Sequence, residues 1–72
     1  MENIYIKDGE EFIKLGQLLK KAGAAESGAF AKEVIISGDV KVNGETELRR
    51  GRKLYEGDVV SFDGIDYKVL KI

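Results

Sequence analysis

The sequence predicts an α+β domain in which two packed helices are followed by a β-hairpin. Three observations carry this expectation. Apolar residues recur with a helical period up to about Gly38 and alternate with a strand period after it. Asn43-Gly44 and Asp63-Gly64 each lie between β-prone runs, as tight hairpin turns do. No proline breaks any of these runs.

Asn3-Ile4-Tyr5-Ile6-Lys7 is β-prone and loosely alternating, so a first strand is expected there, ended by Asp8-Gly9. Asp8 and Glu11 have capping-box spacing, and Phe12, Leu15, Leu18, Leu19 and Ala22 then form one apolar stripe. The expected first helix therefore lies within Asp8 to Ala22, with Gly23 as its stop. Ser27 suits the cap of a second helix that runs to about Ser37, with Phe30, Ala31, Val34 and Ile35 inward and Gly38 just past its end. The link between the helices is short, so they should pack as a hairpin. Val40-Lys41-Val42 alternates in, out, in, and Glu45 to Leu48 should return as its partner strand. A basic loop, Arg49 to Lys53, follows; Gly57-Asp58 opens a turn, and Val59 to Phe62 and Ile65 to Ile72 are the last strands. The expected core is Leu15, Leu18, Leu19, Val34, Ile35, Val40, Val42 and Val59.

Seventy-two residues make one small domain, with no room for a catalytic unit beside a recognition unit. There is no cysteine, which excludes disulfides and thiolate metal sites. There is no histidine, which removes the commonest general base and metal ligand. Carboxylates lack metal-loop spacing. No cofactor, metal, catalytic residue or small-molecule substrate is therefore expected. Apolar runs are too short for a membrane span, and Met1-Glu2-Asn3-Ile4 does not open a signal peptide, so a cytoplasmic location and no membrane partner are expected.

The net charge of −1 hides a segregation of sign. From Lys14 to Lys53 nine basic residues face five acidic ones, a net of +4, while the flanks hold three against eight, a net of −5. Such an arrangement can present a polyanion-binding face on an acidic protein. All three arginines, Arg49, Arg50 and Arg52, fall within four positions beside Lys53, and the guanidinium fork suits phosphate. Lys14, Lys21 and Lys32 could line one side of a groove on the helices. Each feature also has a plainer reading. Short basic loops and helix-face lysines commonly serve solvation, Asn43 is first a turn residue, and Ser27 is a cap rather than a nucleophile.

Taken together, Lys14-Leu15-x-x-Leu18-Leu19, Ser27, Ala31-Lys32-x-x-Ile35-x-x-Gly38, Val40-Lys41-Val42-Asn43-Gly44 and Gly57-Asp58 resemble the alpha-L RNA-binding motif. This is the domain named after small-subunit ribosomal protein S-four, found also in pseudouridine synthases and tyrosyl-tRNA synthetases. The runs FIKLGQLLK, SGAFAK and ELRRGRK look most like its small stand-alone bacterial YbcJ/YaaA-like members. The resemblance covers roughly residues 12–62, and VKVNG after a helix ending in glycine is its most specific part. It implies a helical hairpin packed on a small, mostly antiparallel sheet. It also implies RNA contacts from the helix pair and the adjacent β-turn. Lys14 stands where the family usually has arginine, and Ser27, Lys32, Lys41 and Asn43 match directly. Gly16 stands where aspartate is common, and Gly28 where many members have arginine; the Arg49 to Lys53 cluster is expected to replace the missing contact.

The expected function is non-catalytic binding of structured RNA, ribosomal RNA first, in association with the ribosome. The alternative is a protein-interaction or regulatory module that has lost RNA binding, which the acidic flanks and Gly28 favour. The expected phosphate-holding face joins Lys14, Lys32, Lys41, Arg49, Arg50, Arg52 and Lys53, with Lys21, Ser27 and Asn43 as further contacts.

Overall fold

A computed structural model describes all residues, 1–72. The elements in chain order are β1 (Glu2–Ile6), β2 (Ile13–Lys14), α1 (Leu15–Lys21), α2 (Gly28–Ile36), β3 (Val40–Val42), β4 (Glu45–Thr46), β5 (Lys53–Leu54), β6 (Val59–Phe62) and β7 (Ile65–Lys71). Five strands form one sheet in the order β1-β7-β6-β3-β4, and β2 pairs with β5 in a separate two-residue ladder. Every pairing is antiparallel except that of β1 with β7. The two helices pack on each other and bury one face against the sheet, which is the α+β arrangement expected.

Alternation puts Ile4 and Ile6, Val40 and Val42, Val60, and Tyr67 and Val69 on the inner face of the sheet. Leu15, Leu18 and Leu19 from α1 and Ala31, Val34 and Ile35 from α2 complete the core, with Ile13 and Leu54 from the small ladder and Ala25 from the link between the helices. One expected core residue, Val59, and one residue expected to face inward, Phe30, are corrected. Val59 is only half-buried, because Val60 takes the inward position opposite Val42. Phe30 is exposed, since Ala31, Val34 and Ile35 already fill the inner stripe of α2.

The first helix is much shorter than expected. Asp8-Gly9 forms a turn closed by Glu10 N–H donating to the Lys7 carbonyl (3.0 Å), so Asp8 caps nothing. Ile13 and Lys14 are extended and pair with Leu54 and Lys53. The helix starts only at Leu15, where Lys14 N–H donates to Gln17 Oε1 (3.2 Å). Conversely, Glu47 and Leu48 are not part of the return strand, which stops at Thr46, and Lys53 belongs to a strand rather than to the basic loop.

The helix ends agree with the reading of the glycines. Gly23 (φ 76°) and Gly38 (φ 83°) take the left-handed conformation. In each case the next residue's N–H reaches back, from Ala24 to the Leu19 carbonyl (2.9 Å) and from Asp39 to Val34 (3.1 Å). Ser27 Oγ accepts from Phe30 N–H (3.1 Å), which caps α2 as expected. Ser27→Ala should therefore lower stability by about 1 kcal/mol, and Ser27→Asp should restore it. Chemical denaturation of the three proteins checks this, and equal midpoints would remove the cap from the account.

Candidate nucleic-acid interface

The loop after β4 is fixed from inside by a carboxylate. Glu47 is buried, and its backbone N–H donates to the Val40 carbonyl (3.0 Å). Its Oε2 accepts from Arg49 Nε (2.9 Å) and from Arg49 backbone N–H (3.0 Å). Its Oε1 accepts from Arg49 Nη2 (3.0 Å) and Arg52 Nη1 (2.9 Å). These arginine bonds hold the Glu47 carboxyl down at about 2 against the opposing effect of its burial. The same pairing raises Arg49, whose side chain is nonetheless 74% exposed and keeps its outer edge in solvent.

The loop is also docked to α1 through the backbone. The Leu15 and Gly16 N–H groups, which a helix cannot satisfy internally in its first turn, donate to the carbonyls of Arg52 and Arg50 (2.9 Å each). With the β2–β5 ladder, these bonds set the basic loop against the start of α1. Between them and the beginning of α2 lies a hollow of about 290 Å³, lined by Lys14, Gly16, Gln17, Lys20, Gly28, Ala31, Arg50 and Gly51. Three cations border it and no carboxylate does. At Gly51 it adjoins a second, open concavity lined by Arg49, Arg52 and Lys53. Lys53 Nζ stands 4.9 Å from the centroid of the Phe12 ring, and Phe12 in turn meets Tyr55 at 6.1 Å.

Of the residues singled out from the sequence, this face brings together Lys14, Arg49, Arg50, Arg52 and Lys53. Lys32 is exposed one helical turn beyond Gly28 and lines neither concavity. Others lie elsewhere. Lys21 Nζ donates to the Tyr5 carbonyl and sits in a different depression with Lys7 and Glu10. Lys41 is on the outer face of the sheet, opposite Thr46 and Ser61. The Ser27 hydroxyl is engaged as a cap. The Asn43 side chain donates to Asp58 Oδ1 (3.0 Å) and accepts from Val59 N–H (2.9 Å), so it locks the turn to β6. Of the cations expected to converge on one face, Lys41 is thus outside it, and Lys21, expected as a further contact, is outside it as well. Gln17, which the helical spacing groups with Lys14 and Lys21, lines the hollow, and so does Lys20, which was not among the candidate contacts. Within α1, Gln17 and Lys20 are three apart and so share one helix face, which is the local signal that joins them.

No helix of the chain is long and apolar enough to cross a membrane. A family model described as the S4 domain matches residues 4–70. The chain is 52% identical over 54 residues to the "Probable ribosome maturation protein RlbA" of Bacillus subtilis, covering 75% of this chain and 76% of that one. It is 45% identical over 58 residues to the "Putative RNA-binding protein YbcJ" of Escherichia coli, covering 81% and 83%. The solution structure of E. coli YbcJ, described as revealing an alpha-L motif involved in RNA binding, superposes with a TM-score of 0.71 at 38% identity, covering 97% of this chain and 87% of that one. The chain belongs to the S4 domain family and has the alpha-L RNA-binding fold that the sequence resemblance implied.

Proposed function

We propose that this chain binds structured RNA, ribosomal RNA in the first place, through the face made by the start of α1, the start of α2, the loop from Leu48 to Arg52 and Lys53 of β5, and that it catalyses no reaction. The observation that carries the reading is the pair of adjoining concavities bordered by Lys14, Lys20 and Arg50 on one side and Arg49, Arg52 and Lys53 on the other. Lys14, Lys20, Arg50 and Lys53 have no anionic partner within the protein, so their charge is available to phosphate. Lys32 extends the face. Ser27 and Asn43 shape the elements that present it. The relatives' names, RNA binding for one and ribosome maturation for the other, support the choice of ribosomal RNA and of the cytoplasm as the place of action.

The test is a salt titration against an RNA hairpin. Each neutralised phosphate releases counterion, so four to six contacts should give a log–log slope on the order of −3 to −5. The variant Lys20→Glu/Arg50→Glu is preferable to reversal of Arg49, because glutamate at position 49 would face the buried Glu47. It should bind on the order of 100-fold more weakly and flatten the slope by about two. The loss should be similar for different RNA sequences, since phosphate contacts do not read bases. A flat salt dependence, or coincident curves, would overturn the reading and favour a protein partner.

A further inference from the structure

Gly16 and Gly28 have no structural reason to be glycine. Both lie within helices, and neither has a positive φ. A Cβ at Gly28 would meet nothing within 4 Å, and one at Gly16 would meet only the Arg50 carbonyl oxygen at 3.6 Å and Arg50 Cβ at 3.7 Å, which is ordinary contact. Both stand in the first turn, and replacing a glycine there by alanine, where the backbone angles suit any residue, stabilises by roughly 0.4–1 kcal/mol through the unfolded chain. The fold would therefore gain from side chains at both positions. What the two glycines do is leave the hollow open between Lys14, Lys20 and Arg50.

The size of that hollow narrows what it can hold. At about 290 Å³ it approaches the lower end of small-ligand sites, roughly 300–1,000 Å³, and is larger than a single phosphate needs. A nucleotide carries both a phosphate for the lysines and a flat base. Arg50 makes no side-chain bond within the protein, so its guanidinium plane is free to lie against that base. Gln17 spends its Oε1 on the Lys14 N–H, which leaves its amide hydrogens for a base edge. A base still stacked in a helix cannot enter such a hollow.

Deepening the RNA-binding reading and resting on it, we propose that the hollow over Gly16 and Gly28 receives one unstacked nucleotide, so that the protein selects RNA at a bulge or loop over continuous duplex. The test uses two RNA hairpins of equal stem length, one with a single bulged nucleotide. Wild type should favour the bulged hairpin by about tenfold or more. Gly28→Leu fills the hollow without changing charge and should retain the melting temperature, given the free space at its Cβ. It should bind both hairpins at the level of the unbulged one, with the salt slope unchanged. Gly51→Leu, which narrows the same hollow from the loop and also has free space at its Cβ, should act alike. Equal binding of the two hairpins by wild type, or an undiminished preference in both leucine variants, would overturn the proposal while leaving the phosphate face standing. Failure of wild type to bind either RNA would overturn both.

Discussion

Leu18→Ala should lower stability by roughly 2–5 kcal/mol. Leu18 is fully buried in α1, within a cluster of 16 buried residues from both helices and both ladders. Removing three carbons there forfeits their burial and leaves a space that the surroundings close only in part. On one side stands the five-stranded sheet, whose strands cannot shift inward without breaking backbone bonds. For 72 residues the whole margin of stability is on the order of 4–11 kcal/mol, so the loss is a large share of it. Urea unfolding should show a lower midpoint with an unchanged slope. A midpoint equal to wild type would mean that the buried face of α1 is wrongly assigned.

Glu47→Gln should weaken both the fold and the binding of RNA, although it removes a negative charge from a protein that binds a polyanion. The folded carboxyl titrates at about 2 rather than 4.5. Its stabilisation is therefore complete above about 4.5 and is lost as pH falls through about 2. Arg49 is mostly in solvent, which screens the pair, and a contribution on the order of 1 kcal/mol at neutral pH is expected. The variant should be less stable at neutral pH and should show a shallower decline of stability through that acid window. Its effect on RNA follows from the tether. Glu47 fixes the guanidinium groups of Arg49 and Arg52, and ordering a free side chain on binding costs about 0.5–1.5 kcal/mol. Two such side chains correspond to a loss of affinity of roughly five- to a hundredfold. Simple charge counting predicts the opposite sign. Tighter binding by the variant would show that Glu47 only dilutes the basic face.

How much of this was legible in the sequence depends on the range of the interactions. The limits of α2, the turn at Asn43-Gly44 and the helix stops at Gly23 and Gly38 are written in neighbouring residues, and they were read correctly. The start of α1 was not, because Phe12 keeps the helical spacing by coincidence. What holds Ile13 and Lys14 extended is a ladder to Lys53 and Leu54, some forty residues away, with no local mark. Lys53 was absorbed into a basic run for the same reason. Of the two adjacent valines, Val60 is inward because Asn43 fixes the register of β6 through Val59. The site was legible in its charges and not in its geometry. Lys41 and Lys14 look alike in a sequence, and only the topology separates the outer sheet face from the hollow. Glu47 resembled a solvating carboxylate, and its role depends on two arginines folding back over it.

The parallel pairing of β1 with β7 has a consequence for synthesis. Glu2–Ile6 is one of the two edge strands, and its one neighbour, β7, lies some sixty residues later in the chain. At a translation rate of roughly 5–20 residues per second, the first strand waits about 3–12 s before its partner exists. The helices and the β3–β4 hairpin involve only nearby residues and can form during that interval, whereas the sheet cannot close. During those seconds Ile4 and Ile6, buried in the finished domain, have no sheet to enter and are open to chaperones or to a neighbouring nascent chain.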